Sequence, residues 1–162
     1  SKGEFTMNPT SEYTFGDSFF EALENIIITD DNIDFFIGIL LAADDFSVRN
    51  QLALKISDTE NPKLIEPLVS LIKDPKTFNH RGSLISALEQ YDYLPYMDLL
   101  VSIINENFEV RWNVETMLRD SMDSLSEEQK KRYSDIISKE AEECEYGLDL
   151  LSCLADDLSK GL

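Results

Sequence analysis

The apolar residues of this chain recur at helical intervals. In the stretch that begins at Val48, apolar side chains return at Leu52 and Ile56, a spacing that keeps them on one face of an α-helix. The stretch 110–118 shows the same spacing. We therefore expect an all-α protein built from amphipathic helices.

A four-residue motif organises this pattern. Its copies are Phe46-Ser47-Val48-Arg49, Phe78-Asn79-His80-Arg81 and Phe108-Glu109-Val110-Arg111, which start 32 and 30 residues apart. The register continues downstream, where Leu52 aligns with Leu84 and Val114, and Ile56 aligns with Leu88 and Leu118. Each motif is therefore predicted to open one helix of a repeat.

Second helices are predicted between the motif helices, at about Pro62–Lys73 and Pro95–Asn105. Both begin with a proline, which is tolerated in a first turn because its missing N–H has no intrahelical partner there. A helix pair cannot bury its apolar face alone, so neighbouring pairs must stack. The repeats, at about 33–120, thus predict an α-solenoid of antiparallel helix pairs (an α-α superhelix).

Capping helices are expected at both ends. At the start, Asp17–Ile28 and Asn32–Ala43 carry helical patterns. At the other end, Ser126 and Gln129 form a capping box that leads a charged helix to about Glu143. A last helix follows, with Leu148, Leu151, Leu154 and Leu158 on one face and an end near Gly161. Residues 1–6 precede a methionine and resemble an expression-tag remnant, so we expect a single domain over 7–162, with the C-terminal cap at about 124–162.

The order of an aspartate-containing turn, an apolar-arginine pair and a helix resembles the short HEAT-like repeats related to those of phycobilisome lyases. In that family the repeated aspartate and arginine make hydrogen bonds between adjacent repeats. The resemblance implies this structural ladder for Arg49, Arg81 and Arg111 with Asp44 or Asp45, Asp74 and Asn105. It covers about 33–120 and specifies fold better than function.

Three features depart from the family pattern. His80 replaces the apolar residue of the motif, the stretches 59–61 and 91–93 lack the usual inter-helix glycine, and Asn105 takes the place of an acid. Because its register matches Val48 and Val110, we interpret His80 as a core histidine, with a pH-sensing or partner-facing role as the alternative.

The formal net charge is −18, and it is unevenly distributed. The stretch 7–43 has seven acids and no Lys or Arg. Such a surface repels phosphate backbones, so nucleic acid is not expected as a partner. A basic protein would be attracted, although acidic surfaces also serve solubility alone.

No catalytic or cofactor site is predicted. Gly16-Asp17-Ser18 resembles an esterase nucleophile block, but the chain has one histidine, and helix capping explains the same residues. Asp30, Asn32 and Asp34 alternate like calcium-loop ligands, but Phe35 and Leu41 stand where that loop needs Gly and Glu. We expect no enzyme activity, no metal and no cofactor.

The two cysteines, Cys144 and Cys153, fit no disulfide framework or metal motif, and we expect them to be reduced and partly buried. No stretch approaches the roughly 20 apolar residues of a membrane helix, and no signal peptide follows Met7. The expected location is the cytoplasm, away from membranes.

Trp112 is the main candidate for partner binding. It follows Val110 by two residues, about 200° round the helix from the core face, and tryptophan is frequent among interface hot spots. Packing against the C-terminal cap is the alternative. Tyrosines and carboxylates near the helix ends complete a candidate surface for a basic partner, formed by Glu89, Tyr91, Asp92, Tyr93, Glu115, Arg119 and Asp120. A solvated helix face would explain these charges equally.

The sequence therefore favours a non-catalytic module that binds a basic protein. Its most specific form is a bacterial immunity-type inhibitor of a cationic toxin domain. The alternatives are a lyase-like or chaperone-like repeat protein that handles a chromophore or a modified substrate, and a general scaffold subunit.

Overall fold

The computed structural model describes residues 21–143 and 148–160, with the backbone alone at 148–150. These residues are helical, without any β-strand, as the apolar pattern predicts. After a helical stretch at 21–25, the α-helices are α1 (Ile33–Ala42), α2 (Phe46–Ser57), α3 (Ile65–Lys73), α4 (Gly82–Leu88), α5 (Met97–Ser102), α6 (Phe108–Asp120), α7 (Glu127–Glu143) and α8 (Leu148–Lys160). Within these ranges no helix is both long enough and apolar enough to cross a membrane.

Consecutive helices pack as pairs, and alternate helices also touch. The pairs are α1 with α2, α3 with α4 and α5 with α6. Helix α4 in addition packs between α2 and α6, so the three helices that contain or directly follow the motif arginines lie in one row. At the C-terminal end α7 contacts α5, and α7 and α8 make the most extensive helix pair.

The core lies between the helices of these pairs. The aligned positions Leu52, Leu84 and Val114 are all fully buried, and so are Ile56, Leu88 and Leu118. The repeat register deduced from the sequence is therefore confirmed at both core levels. Burial of these branched and aliphatic side chains supplies the main stabilising free energy of the fold.

The second motif does not open a helix, contrary to the prediction. Pro75–Thr77 forms a 3-10 turn, Asn79 has a left-handed φ of 66°, and α4 begins only at Gly82. Asparagine tolerates this backbone conformation better than most residues. The hydroxyl of Thr77 donates to the carbonyl of Leu71 (2.7 Å) and so ties the turn to the end of α3.

This turn also changes the position of His80. It is half-exposed instead of buried in the core, because the residues before Gly82 do not follow the helical register. Its ring stacks on the ring of Phe46, with centroids 3.8 Å apart and planes 13° apart.

Helix α5 is shorter than predicted. Pro95 lies in a 3-10 turn (Leu94–Tyr96), and the α-helix ends at Ser102. The following residue, Ile103, has left the helical conformation (φ −113°, ψ 10°). Asn105 and Glu106 therefore belong to the connection to α6, where their side chains are available to other helices.

Helix α5 is fixed to α7 by polar contacts on Asp98. The hydroxyl of Tyr133 donates to this carboxylate (2.5 Å), and so does the guanidinium of Arg132 (2.8 Å). Burial raises the pKa of Tyr133 to about 12, and the hydrogen bond to Asp98 adds to the shift.

The terminal helices agree with the predicted caps in type, with differences in length. The helix expected at Asp17–Ile28 is seen at 21–25, and its first residues lie outside the described chain. The capping box is confirmed: Ser126 N–H donates to Gln129 (2.9 Å) and Gln129 N–H donates back to Ser126 (3.1 Å). The last helix buries Leu151, Leu154 and Leu158, as the leucine pattern predicts; the side chain of Leu148 and all of Gly161 lie outside the described residues.

The missing inter-helix glycine has a structural consequence after α2. Glu60 takes a left-handed φ of 54°, the conformation that glycine adopts without steric cost. The connection is closed by Thr59, whose hydroxyl donates to the carbonyl of Ile56 (2.7 Å). The Thr59 hydrogen bond thus helps to hold a turn in which glycine would be less strained.

Candidate protein-binding surface

The motif arginines first act within their own helix pairs. Each guanidinium reaches back to the connection that precedes its own motif helix. The bonds join Arg49 to the carbonyl of Ala43 (3.2 Å), Arg81 to the carbonyl of Asp74 (3.1 Å) and Arg111 to the side-chain oxygen of Asn105 (3.2 Å). The arginines therefore close equivalent turns, even where the helix start differs.

Contacts between neighbouring pairs involve a different acid from the one implied by the family resemblance. Arg81 forms a buried ion pair with Glu106, which also accepts a hydrogen bond from the Asn79 N–H (3.2 Å). The carboxylate of Asp74 instead caps the Pro75–Thr77 turn, where it accepts from the N–H of Lys76 (3.0 Å). Glu106, 25 residues after Arg81, is thus the inter-pair partner that the sequence reasoning missed.

Arg49 shows the same relation in weaker form. Its side chain is buried, and burial lowers the pKa of the guanidinium against the opposing fields of Asp74, Asp44 and Asp45. Asp45 is the N-cap of α2 and accepts from the N–H groups of Ser47 (2.8 Å) and Val48 (3.1 Å). Of the three acids, Asp74, which belongs to the next helix pair, raises the pKa of Arg49 most.

The last connection meets the C-terminal helices instead of another motif. The side-chain amide of Asn105 donates to Glu140 on α7 (3.3 Å) while its oxygen accepts from Arg111. An amide can donate and accept at once, which an aspartate in this place could not do. The departure from an acid at position 105 thus suits the junction with the cap.

A groove of about 540 Å³ runs between the C-terminal halves of α2 and α4 and the helical stretch at 21–25. Among the described residues, its acids are Glu24, Asp58 and Glu89, and its one base is Lys55. We call it the acidic groove. Its remaining lining residues are Leu23, Gln51, Leu54, Ser57, Ser86 and Gln90.

Glu89 connects this groove to the end of α6. Burial raises the pKa of its carboxyl group, and the negative charge of Asp120 raises it further. Two predicted surface acids are therefore close enough to repel each other. A positive charge placed beside them would relieve this repulsion.

Several other members of the predicted surface have structural contacts. The hydroxyl of Tyr93 donates to the carbonyl of Met117 (3.2 Å) and accepts from Ser121 (3.0 Å), so it fixes the connection before α5 against the end of α6. Arg119 forms ion pairs with Glu115 (3.0 Å) and with Asp157 on α8 (2.7 Å), so its charge is already balanced within the chain. These three predicted residues support the fold.

Tyr91 and Asp92 lie in the connection after α4. Burial raises the pKa of Tyr91, and the charge of Glu60 adds to the shift. The carboxylate of Asp92 is exposed and accepts from the N–H of Leu94 (3.3 Å). Of the predicted acids, Glu89, Asp92 and Asp120 are thus the ones that remain accessible for a partner.

Trp112 lies near the opposite end of α6 from Asp120. It is 60% exposed, and its ring lies beside the ring of Phe108, with centroids 6.3 Å apart. This exposure disfavours the alternative in which Trp112 packs against the described part of the C-terminal cap. The predicted surface is divided between the two ends of the motif helices.

The first residue of every motif copy is also exposed, which the sequence reasoning missed. Phe46, Phe78 and Phe108 are 45%, 58% and 67% exposed. We call these three, with His80 and Trp112, the aromatic edge. A signal was present: each phenylalanine precedes the apolar motif position by two residues, the same angular offset that identified Trp112.

The members of the aromatic edge lie on neighbouring helix starts. Phe46 at the start of α2 stacks on His80, just before α4. Glu109 at the start of α6 lies against Gly82, and Asn113 donates to the carbonyl of Gly82 (2.9 Å). The starts of the three motif helices are therefore side by side.

The described residues offer no cluster of three His, Cys, Asp or Glu side chains arranged for a metal ion. The calcium-like residues make local contacts: Asp30 accepts from Asn61 (2.7 Å), Asn32 accepts from the Thr29 N–H (2.7 Å) and Asp34 pairs with Lys63 (3.2 Å). Cys153 is exposed, contrary to the expectation of partial burial. Cys144 and the Gly16-Asp17-Ser18 segment lie outside the described residues.

Comparison with known proteins gives no relative for this chain: no family model, no curated protein and no solved structure matches it.

Proposed function

We propose that this chain is a non-catalytic binding module for a basic protein, and in its most specific form a bacterial immunity-type inhibitor of a cationic toxin domain. The helix pairs and the row of α2, α4 and α6 support a short HEAT-like solenoid as its architecture. A short solenoid offers one continuous row of helices to a partner, which suits the binding of a protein surface.

The observation that carries the proposal is the acidic groove itself, where Glu24, Asp58 and Glu89 lie beside one described base, Lys55, and the charge of Asp120 acts on Glu89. Burial and the charge of Asp120 both raise the pKa of Glu89, so the ionised form of this carboxyl is held at a free-energy cost. A lysine or arginine of a partner would remove part of that cost on binding. The net charge of −18 adds long-range attraction for the same class of partner.

Nucleic acid is not the proposed partner, because a phosphate backbone would meet the same carboxylates with like charge. We place the encounter in the cytoplasm, where the exposed thiol of Cys153 stays reduced. Inhibition of a toxin domain would follow from steric cover of a basic surface, without chemistry by this chain.

The first experiment is co-purification of the tagged chain from its native host, followed by identification and separate purification of the bound protein. We expect a protein of high pI whose affinity, measured with the two purified proteins, falls steeply as salt increases. A complex that is insensitive to salt, or no basic partner, contradicts the proposal.

A charge variant makes the test specific to the groove. Glu89→Gln with Asp120→Asn should lower the association rate at low salt by about fivefold, because local charge steers the encounter. The matched control is Glu128→Gln with Glu142→Gln on α7, which removes the same charge from other exposed positions. Equal effects of the two double variants would show that only the total charge matters.

A further inference from the structure

The aromatic edge makes no contribution to the core that would explain its repetition. The core positions of the motif helices are fully buried, whereas Phe46 is 45%, Phe78 58% and Phe108 67% exposed. A single exposed apolar residue is ordinary, but a row of large ones marks an interaction surface. The exposed rings therefore require an occupant.

Charge identifies what that occupant carries. Asp44 and Asp45 directly precede Phe46, and Glu109 directly follows Phe108; all three acids are exposed. A second copy of this chain is a poor occupant, because two chains of charge −18 repel each other. Aromatic faces next to carboxylates instead match a cationic side chain.

Arginine fits this arrangement better than lysine. Its planar guanidinium stacks on an aromatic face and can donate hydrogen bonds to a neighbouring carboxylate at the same time. Lysine is a compact, strongly hydrated charge that gains less from a ring face. The aromatic edge should therefore bind arginine more tightly than lysine, although both side chains carry one positive charge.

We propose that the aromatic edge binds an arginine-containing segment of the basic partner, with guanidinium groups stacked on Phe108 and Trp112. This inference rests on the proposed function and assigns different roles in binding to two regions of the surface. The acidic groove raises the association rate through charge, and the aromatic edge slows dissociation through ring contacts.

The first test uses synthetic peptides as probes. One short peptide alternates arginine with serine, and its counterpart alternates lysine with serine, so that both carry the same charge. Fluorescence anisotropy with the full chain should show binding of the arginine peptide roughly fivefold tighter, the scale of an exposed cation–π contact. Equal affinities for the two peptides, or no binding of the arginine peptide, would overturn the proposal.

The second test uses variants with a matched control. Phe108→Ala and Trp112→Ala should each weaken binding of the arginine peptide by about fivefold and change the lysine peptide less. The control is Phe35→Ala on α1, because Phe35 is 67% exposed, like Phe108, but lies in a helix outside the motif row. The melting temperature of each variant should stay close to that of the original chain, since exposed rings stabilise little. A loss of several degrees for Trp112→Ala with intact binding would show that the ring only packs.

Kinetics with the purified partner separate this inference from the proposed function. Aromatic variants should raise the dissociation rate, while the Glu89→Gln, Asp120→Asn double variant should lower the association rate. If the charge variant acts as expected and the aromatic variants do not, the edge proposal fails and the binding function stands. If no basic partner exists but the arginine peptide still requires Phe108, the edge survives and the proposed function fails.

Discussion

The first and second motif copies have similar letters but different structures. At Phe46 the motif opens a helix directly, with Asp45 as its N-cap. At Phe78 the corresponding residues form a turn, and the helix starts four residues later at Gly82. The third copy, at Phe108, opens a helix directly as the first copy does, with Asn107 as its N-cap.

The arginines show what compensates for the difference. Arg49, behind a well-capped helix start, makes one hydrogen bond among the described residues, and its buried Nε has no partner there. Arg81 uses its three nitrogens on Thr77, Asp74 and Glu106. The copy that lacks a regular helix start therefore holds its turn by a buried polar network.

The largest expected effect comes from breaking that network. Arg81→Met should lower the free energy of unfolding by about 3 kcal/mol or more, because it leaves Glu106 buried and unpaired. Arg49→Met should cost about 1 kcal/mol or less, since burial already disfavours its charge and only one bond is lost. Urea unfolding of the two variants measures the contrast.

A second substitution tests the cause. Glu106→Gln in the Arg81→Met background should recover part of the loss, because the buried charge is removed as well. Equal costs for Arg49→Met and Arg81→Met would mean that the ion pair does not distinguish the copies.

Thr77→Val should have the next largest effect, about 2 kcal/mol. The valine keeps the shape of the buried side chain, but it leaves the carbonyl of Leu71 and the Nε of Arg81 without their hydroxyl partner. Thr116→Val is the control, because its hydroxyl bonds the Trp112 carbonyl within an exposed part of α6. Equal shifts in melting temperature for the two variants would show that the buried Thr77 hydroxyl stabilises the fold no more than the exposed one of Thr116.

The smallest expected effect concerns Gly82, the first residue of α4. Gly82 corresponds to Asn50 in the first copy, and a Cβ at Gly82 would lie only 2.1 Å from the side chain of Glu109. Gly82→Ala should change the free energy of unfolding by less than about 1 kcal/mol, because the exposed Glu109 side chain must move aside while alanine is the better helix former. In a Glu109→Ala background the same substitution should be neutral or stabilising. No coupling in this double-mutant cycle would argue against the close approach.

The repeat register and the capping box were predictable because they depend on local periodicity. Leu52 and Leu84 are buried wherever a helix of this period packs on a neighbour. Ser126 and Gln129 bond each other within one turn, so the sequence alone specifies their contact. The all-helical fold follows from these local signals.

The turn at Phe78 and the role of Glu106 were not predictable in the same way. The helical period continues through Leu84, so the pattern alone does not show where the helix begins; Pro75 and Asn79 were the available signals. Glu106 reaches Arg81 only because α5 ends at Ser102 and α6 packs beside α4. The predicted surface around Glu89 and Trp112 likewise depended on helix packing that single residues do not encode.

The relation of Arg49 and Arg81 to an acid of the following unit bears on how such a chain can grow. Arg81 is met by Glu106 from the following unit, Arg49 feels Asp74 most strongly among the acids, and at the last junction Asn105 reaches Glu140. A tandem duplication of the middle unit would bring both an arginine for its successor and an acid for its predecessor. Lengthening by whole units would therefore keep both new junctions chemically matched, whereas a partial insertion would leave one charge without its counterpart.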